Sequence, residues 1–278
     1  MYLLFDIGGT NLRLANSPDG KTVTQIHYEA TPKNPSEAIR SIIAYSHKNG
    51  KKLSGVAGGI PGPMDAGKTM IMNAPNLPGW VKYPLRDTLA EKLGTQVLLE
   101  NDAALAGLGE AVFGAGQGKK IVAYLTISTG IGGTRIVNSQ IDSSSLGFEP
   151  GHHTIHPDGF LCGCGSKGHL EAYASGTGLK KQFGQPAHEI KDPAIWKQVC
   201  GHLAVGLNNV LCFWSPDIIV LGGSLMKSLS IDILTEELKN LKPVFPNIPP
   251  LAKANLGNDS GLYGALAYAT SFLPPSRS

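Results

Sequence analysis

Met1-Tyr-Leu-Leu-Phe-Asp6, Ile7-Gly-Gly-Thr10 and Asn11-Leu-Arg-Leu-Ala-Asn16 open the chain. An apolar run ending in an acid, then a glycine pair, then a second apolar run read as strand, tight turn, strand, with the glycines in the hairpin loop. The pattern returns as Ile121 to Ile127, Ser128-Thr-Gly-Ile-Gly-Gly-Thr134 and Arg135-Ile-Val137. Gly8-Gly9-Thr10 and Gly132-Gly133-Thr134 thus hold matching places in two half-chains. The chain reads as a duplicated βββαβα unit, with a chance echo of three residues as the alternative.

Outward from these hairpins, strands and helices alternate. A third strand is expected at Thr22 to Tyr28. Ser36 caps a helix to His47, with Gly50 past its end. Leu53 to Ala57 is a short strand. Pro84 opens a helix over Leu85 to Leu93 that Gly94 stops. Gln96 to Leu99 is a strand that runs into Glu100-Asn101-Asp102, and a helix follows from Ala103 to Val112. In the second half, Asp192-Pro193 start a long helix to Phe213. Asp217 to Leu221 is a buried-type strand ending in Gly222-Gly223. Ile231 to Leu241 is helical. A short strand follows Asn247-Ile-Pro-Pro250, and a last helix runs from about Leu262 to Ser271 before a frayed tail at 274–278. The alternation predicts an α/β fold in two lobes. Residues 1–103 with 262–278 form the smaller one, and 104–261 the larger.

Composition excludes several classes. The 278 residues are 42% hydrophobic and 16% charged, an ordinary globular balance rather than a disordered one. Glycine is abundant, at 35 residues, but without a three-residue period, so collagen is out. A formal net charge of +3, spread along the chain, gives no case for a nucleic-acid binder. No apolar run reaches the ~20 residues of a membrane span, so a soluble, cytoplasmic protein is expected. Four cysteines are too few for a disulfide scaffold of this length.

Three glycine loops each follow a strand: Asp6 to Thr10, Ser128 to Thr134, and Leu221-Gly-Gly-Ser224. Each alone is most simply a turn. Together they favour a nucleotide cleft, where side-chain-free backbone amides face phosphate. Asp6, at a strand end beside such a loop, is placed to face the waters of a nucleotide's Mg²⁺. Two nucleotide patterns that match by letter are rejected on context. Gly62 to Thr69 spells a Walker loop, but Pro75 and Pro78 oppose the helix it needs. Gly163 to Gly168 spells Gly-x-Gly-x-x-Gly without a Rossmann strand before it.

Glu100-Asn101-Asp102 lies where a strand meets a helix. Asp102 is either a helix cap or a general base for a sugar hydroxyl attacking a γ-phosphoryl group. Cys162, Cys164 and His169, with His152 upstream, make a Cys2His2 set suited to tetrahedral zinc. His153 and His156 are alternatives to His152. The other reading is that the cysteines are small loop residues. Glu149 and Glu171 bracket the same loop and suit paired hydrogen bonds to sugar hydroxyls.

These residues resemble the ROK family of bacterial sugar kinases and related repressors, over nearly the whole chain. Asp6-Ile-Gly-Gly-Thr-Asn11 is similar to the family's first phosphate loop. Gly59-Ile-Pro-Gly-Pro-Met-Asp65 and Asn73-Ala-Pro-Asn-Leu-Pro-Gly-Trp80 are similar to its sugar-side loops. Glu100-Asn-Asp-Ala103 is similar to its catalytic segment. Glu149-Pro-Gly-His152 and Cys162-x-Cys-Gly-x-x-Gly-His-x-Glu171 are similar to its signature and zinc motif.

The resemblance implies the actin and hexokinase (ribonuclease H-like) fold, two α/β lobes flanking a central cleft. It implies Asp102 as general base. It implies Gly62, Asn76, Asn101, Asp102, Glu149, His152 and Glu171 on the sugar. Nucleotide binding falls to Asp6, Gly8, Gly9, Thr10 and Asn11, with Thr129, Gly130, Gly222 and Gly223. The cofactors implied are ATP with Mg²⁺ and a structural Zn²⁺ on His152, Cys162, Cys164 and His169. Two departures stand out. Position 169 is usually Cys in the family, and Ser128 and Thr134 stand where it usually has Gly; the extra side chains either narrow the second phosphate loop and weaken ATP binding or add a hydroxyl donor. With a first strand at Met1, the repressors' helix-turn-helix is not expected. The expectation is an ATP-dependent hexose kinase acting at C6, with glucose first because Asn76-Leu-Pro-Gly-Trp80 resembles bacterial glucokinases. Fructose, allose, mannose or an N-acetylhexosamine are alternatives, as is a non-catalytic sugar-binding protein. No nucleic acid or membrane partner is expected, and the resemblance implies a homodimer or homotetramer.

Overall fold

The computed structural model describes every residue except 49, 51, 75, 76, 274 and 276–278. The sugar contact expected of Asn76 and most of the expected tail at 274–278 lie outside the described residues. The chain divides into two compact units. The first is Met1–Phe113, Ser143–Gly147 and Asn258–Ser278, and the second is Gly114–Asp142 and Phe148–Gly257.

The first unit is built on a five-stranded sheet. Its strands are β1 (Tyr2–Ile7), β2 (Asn11–Ser17), β3 (Thr24–Ala30), β4 (Gly55–Ile60) and β5 (Val97–Asn101), in the order β3-β2-β1-β4-β5. β1 pairs antiparallel with β2 and parallel with β4, and β4 is parallel to β5. β1 and β4 are buried along their whole length, which suits strands covered on both faces. The glycines of β4 admit large neighbours: a Cβ at Gly58 would overlap the Phe5 ring.

Helices α1 (Pro35–His47), α2 (Leu85–Leu93) and α3 (Asp102–Phe113) follow the strands as expected, and α8 (Ser260–Phe272) closes the unit. Gly94 ends α2 in the left-handed region at φ 61°. The cap of α1 is Asn34, not Ser36: the Asn34 side chain accepts from Ser36 N at 2.9 Å and Pro35 takes the first helical position.

α3 packs backbone to backbone on α8. A Cβ at Gly109 would press on the Ser260 carbonyl, and one at Gly264 on that of Leu105. All of α3 therefore belongs to the first unit, and the boundary falls after Phe113 rather than after residue 103. The two units are of matching size, not one smaller and one larger.

The second unit repeats the plan. Its strands are β6 (Ile121–Ile127), β7 (Ile131–Val137), β8 (Gln140–Ile141), β9 (Ile218–Gly222) and β10 (Leu251–Lys253), ordered β10-β9-β6-β7-β8. Read from each repeat's own first strand, both sheets run 3-2-1-4-5, so the duplication is one of topology. The three-letter echo is out of register with it. Ile127 pairs with Ile131, so the second turn is Ser128–Gly130, and Gly132, Gly133 and Thr134 lie inside β7. Gly133 is there for packing, since a Cβ would lie 2.5 Å from Tyr124 O and 2.8 Å from Pro150 Cγ. Thr134 is 1% exposed within the strand, so it does not narrow the loop.

Helices α4 (Leu170–Ala174), α5 (Gly176–Phe183), α6 (Pro193–Trp214) and α7 (Ile231–Asn240) complete this unit. Asp192 caps α6 by accepting from Ala194 N at 2.8 Å. Leu203 and Leu207 of α6 are fully buried in a core with Leu125 and Leu221. Each such side chain contributes about 1.5–3 kcal/mol of transfer free energy. Among the described residues, no helix is long and apolar enough to cross a membrane.

Candidate active site and metal centre

In the first unit, the parallel strands end in register: Asp6 is level with Gly59, and Gly59 with Glu100. In parallel α/β sheets, ligands bind beyond such carboxyl ends. Asp6 is buried there, and its cross-strand neighbour Arg13 donates from Nη1 to Oδ2 at 2.7 Å. Glycines clear the space around this carboxylate. A Cβ at Gly261 would lie 2.6 Å from Asp6 Oδ2; one at Gly59 would lie 3.1 Å from Asp6 Oδ1 and 3.2 Å from Asp102 Cα. Asp6 and Asp102 thus flank a single glycine.

Burial pushes the Asp6 carboxyl up, against the pull of Arg13, and Asp259 adds a smaller upward push. Asp102 is half-buried as a residue, but its carboxyl is densely surrounded. Burial, then the charge of Asp6, pushes it up to about 7, against a hydrogen bond from Ala103 N. A carboxylate poised near neutrality suits general-base work.

Asn101 does the helix-terminal work that a capping Asp102 would do. Its Oδ1 accepts from Ala104 N at 3.1 Å, and its Nδ2 donates to Gly62 O at 3.2 Å. Gly62 needs its φ of +81°, and a Cβ there would strike the Asn73 carbonyl. The segment after it is a small hairpin, with Met64 bridged to Ile71 and Asp65 accepting from the amides of Gly67, Thr69 and Met70. It opens no helix, as the rejection of a Walker loop requires. Lys68 of this hairpin is ion-paired with Glu100. The Gly8–Asn11 loop is closed by Gly8 N on Asn11 O at 2.9 Å, and Thr31 Oγ1 donates to Gly8 O at 2.7 Å. Gly9, Thr10 and Asn11 are exposed. Trp80 is a core residue that donates from Nε1 to Pro32 O at 3.0 Å.

In the second unit, one atom each from His152, Cys162, Cys164 and His169 lies within 4.8 Å of all the others. His152 Nδ1 and His169 Nδ1 are 3.4 Å apart. Cys164 Sγ is 3.3 Å from His169 Nδ1, and Cys162 Sγ is 3.8 Å from His152 Nδ1. Tetrahedral zinc with bonds of ~2.1 Å to nitrogen and ~2.3 Å to sulfur sets ligand separations of roughly 3.3–3.8 Å. These three separations fall in that range and the rest lie within 4.8 Å, so the donor set suits this ion. Of the three candidate histidines, the fold turns His152 to the cluster. His156 packs its ring on Tyr173 and His202 instead. The cysteine knuckle is tight: Cys162 N bonds Ser166 O at 2.8 Å, and Gly165 and Gly168 sit at φ +95° and +75°.

Glu149 is pushed up by burial first, with His152 pulling it down and Glu171 pushing up. Glu171 Oε2 accepts from Ile131 N at 2.9 Å, and a Cβ at Gly130 would lie 2.6 Å from that oxygen. Thr129 and Gly130 are therefore held beside Glu171. Gly222 is level with Thr126, and a Cβ at Gly223, which sits at φ +94°, would strike the backbone of Ile127. The second and third glycine loops are neighbours at the ends of β6 and β9.

The expected site residues thus fall into two sets. Asp6, Gly8, Gly9, Thr10, Asn11, Gly62, Asn101 and Asp102 belong to the first unit. Thr129, Gly130, Glu149, His152, Cys162, Cys164, His169, Glu171, Gly222 and Gly223 belong to the second. Sequence reasoning missed Arg13, Asp259 and Gly261, and it read Gly59 as the start of a sugar-side loop rather than as the gap between Asp6 and Asp102. Arg13 left one signal, a lone charge inside an apolar strand. Asp259 and Gly261 left none.

Both units carry the same 3-2-1-4-5 sheet with helices, the repeated α/β plan of the actin/hexokinase-like fold. Comparison then gives the family. The ROK family profile matches residues 2–271, and the chain belongs to that family. It is 29% identical to a glucokinase of Thermotoga maritima over 298 aligned positions, covering 94% of each chain. It is 30% identical to an N-acetyl-D-glucosamine kinase of Citrobacter koseri, covering 95% of this chain and 98% of the relative. The crystal structure of a ROK hexokinase from Thermus thermophilus superposes with a TM-score of 0.85 at 31% identity, covering 97% of this chain and 98% of that one.

Proposed function

We propose that this protein transfers the γ-phosphoryl group of Mg-ATP to the C6 hydroxyl of a hexose, glucose foremost, with Asp102 as general base. By class the chain is an ATP-dependent sugar kinase. The single observation that carries the mechanism is the setting of Asp102. It is a crowded carboxyl, raised to about 7, across one glycine from a second carboxylate at the parallel strand ends.

In this reading Asp102 takes the C6 proton as the sugar oxygen attacks the γ-phosphorus in line. Asp6, oriented by Arg13, would hold the Mg²⁺ of the nucleotide, which would supply charge neutralisation on the transferring group. Amides of the Gly8–Thr10 and Thr129–Gly130 turns and of Gly222–Gly223 cradle the phosphates. Asn101, Glu149 and His152 hold sugar hydroxyls, as does Glu171 with Oε1 while its Oε2 stays on Ile131 N, and Asn101 also fixes the Gly62 carbonyl. Zn²⁺ would be held by His152, Cys162, Cys164 and His169. With four protein ligands its shell would be closed, and its role would be to order the loop rather than to act on substrate.

Glucose and an N-acetylhexosamine are both supported as acceptors, since a glucokinase and an N-acetyl-D-glucosamine kinase stand equally near in identity. A coupled ADP-release assay over a panel of hexoses tests the reading. Turnover on glucose above all others is expected. Turnover on none, with sugar still bound, would leave a non-catalytic sugar-binding protein.

A further inference from the structure

The second glycine turn is held from outside. Within itself, Ser128 N bonds Gly130 O at 2.9 Å. Its other ties run to α4 and α5. Gly176 N donates to Ser128 O at 2.7 Å and Thr177 N to Thr129 O at 3.0 Å, both from the first turn of α5. Ile131 N, at the exit of the turn, donates to Glu171 Oε2 of α4 at 2.9 Å. The turn is gripped at both ends.

α4 and α5 act as one bracket because Ser175 joins them rigidly. It is fully buried, donates from its own N to Glu171 O at 3.2 Å, and accepts on Oγ from Gly178 N at 3.0 Å. A Cβ at Gly178 would lie 2.5 Å from the carbonyls of both Glu171 and Ala172, so the corner admits no side chain.

The far end of the bracket is the metal cluster. His169 immediately precedes α4, and its carbonyl accepts from Ala172 N at 3.0 Å. Cys162 Sγ lies 3.7 Å from Glu171 Oε1. That thiol contact belongs to the metal-free cluster, since a zinc-bound Cys162 is a thiolate with no proton to give. With metal bound, the link from cluster to turn runs from His169 along α4 to Glu171, whose Oε2 holds Ile131 N. An acid in the first turn of a helix ordinarily serves its own helix's amides. Here Oε2 instead takes a backbone amide from a strand forty residues away.

We infer that Glu171 is a positioning residue that ties the His/Cys cluster to the Ser128–Gly130 turn, so that a filled metal site presets the turn for nucleotide phosphate. The inference rests on the kinase reading above and extends it. Metal occupancy governs nucleotide affinity as well as sugar affinity, through a chain of contacts inside one unit.

The test uses full-length protein in zinc-loaded and chelator-stripped forms, as wild type, Glu171→Ala, Glu171→Gln and Gly130→Ala. Two quantities are read: Mg-ADP affinity by calorimetry without sugar, and hydrogen exchange at the amides of Ile131 and Gly176. Loss of a charge-assisted bond to a backbone amide predicts about tenfold weaker Mg-ADP binding for Glu171→Ala, with faster exchange at Ile131 and zinc retained. Gln keeps an acceptor oxygen and restores most of the loss. Gly130→Ala reaches the same contact from the other side and weakens Mg-ADP with Glu171 intact, which covers the case in which Glu171→Ala does not fold. Stripping zinc weakens Mg-ADP in wild type and does so less in Glu171→Ala, where the tie is already cut. Stripped wild type with unchanged Mg-ADP affinity and unchanged exchange at Ile131 overturns the inference, whatever happens to sugar affinity. Zinc-loaded wild type that binds no Mg-ADP overturns the kinase reading instead, and the exchange at Ile131 still decides the bracket.

Discussion

The two hairpin turns of the duplicated sheet stand at the same topological place and are built in opposite ways. The Gly8–Asn11 turn closes on itself and on Thr31, and next to it lies a buried carboxyl with glycines on either side. The Ser128–Gly130 turn is clamped by α4 and α5, and the carboxylate beside it is pinned by a backbone amide. Beside the first turn the acids Asp6 and Asp102 are crowded and raised. Beside the second, Glu171 is tied to a backbone amide, while burial raises Glu149 further along the same loop. On the proposed reading, one copied plan serves chemistry at the first turn and positioning at the second.

The largest effect is expected at Asp102. Asp102→Asn should lower kcat by a factor of about 10²–10⁴, the usual loss for a positioned base, while sugar affinity measured by calorimetry stays within a few-fold. Wild-type turnover in this variant would reduce Asp102 to a structural residue and dissolve the division. The equivalent fastener substitution, Glu171→Ala, should cost far less in kcat than in Mg-ADP affinity.

Next is the metal. One zinc per chain is expected by elemental analysis of tag-free protein. His169→Ala should lower the bound fraction and open the loop, whereas His169→Cys should keep it, since either donor completes a tetrahedral shell. A zinc-free preparation with full sugar and nucleotide affinity would remove the reason for the positioning half.

The division also shows in how much could be read beforehand. The hairpins, the acid at the end of β1 and the Cys/His knuckle were legible because each is local: a run, a turn and a short spacing. The cluster's choice of His152 over His153 and His156 was not, since it depends on how the Pro150–His152 turn is set against the knuckle. The repeat was legible, but its register was not. Gly132 and Gly133 look like loop glycines until Ile127 is seen to pair with Ile131. That Gly59 and Gly261 make room around Asp6 carries no sequence sign, although Gly59 opens the Gly59-Ile-Pro-Gly-Pro-Met-Asp65 motif. Their neighbour is a side chain on another strand, reached only through the parallel crossover and a helix from the far end of the chain.

A third effect, of moderate size, concerns pH. The folded Asp102 carboxyl stands at about 7 against an unfolded value near 4, so between those values the folded state binds more protons than the unfolded one. Stability contributed by the protonated form is full below the unfolded value and is lost as pH rises to the folded one. Asp102→Asn, which stays neutral, should therefore exceed wild type in stability at pH 8 by on the order of 2 kcal/mol, and by little at pH 4. Denaturant melts at the two pH values decide it. An equal difference at both would mean that the carboxyl is not strained by charge, and the first half would lose its distinguishing feature. In kcat/KM for the sugar, the same group should give an ascending limb near pH 7.

The smallest effect separates strand from loop within the second repeat. Thr134 is 1% exposed in β7, and among the described residues its buried hydroxyl has no hydrogen-bond partner. A hydroxyl buried without a partner costs about 1–3 kcal/mol against an apolar group of the same shape. Thr134→Val keeps the shape, keeps the β-branch that suits a strand, and removes the orphan. It should raise stability by about 1 kcal/mol, seen as a higher denaturant midpoint with an unchanged slope. KM for ATP should stay within twofold, because the side chain lies inside the sheet and not at the turn. Ser128, by contrast, is in the turn, where Gly176 grips its carbonyl. If Thr134→Val instead raises KM for ATP severalfold at normal stability, position 134 reaches the nucleotide after all. The second turn would then have to extend to Thr134, as its spelling first suggested, and the register that sets the two halves apart would be wrong.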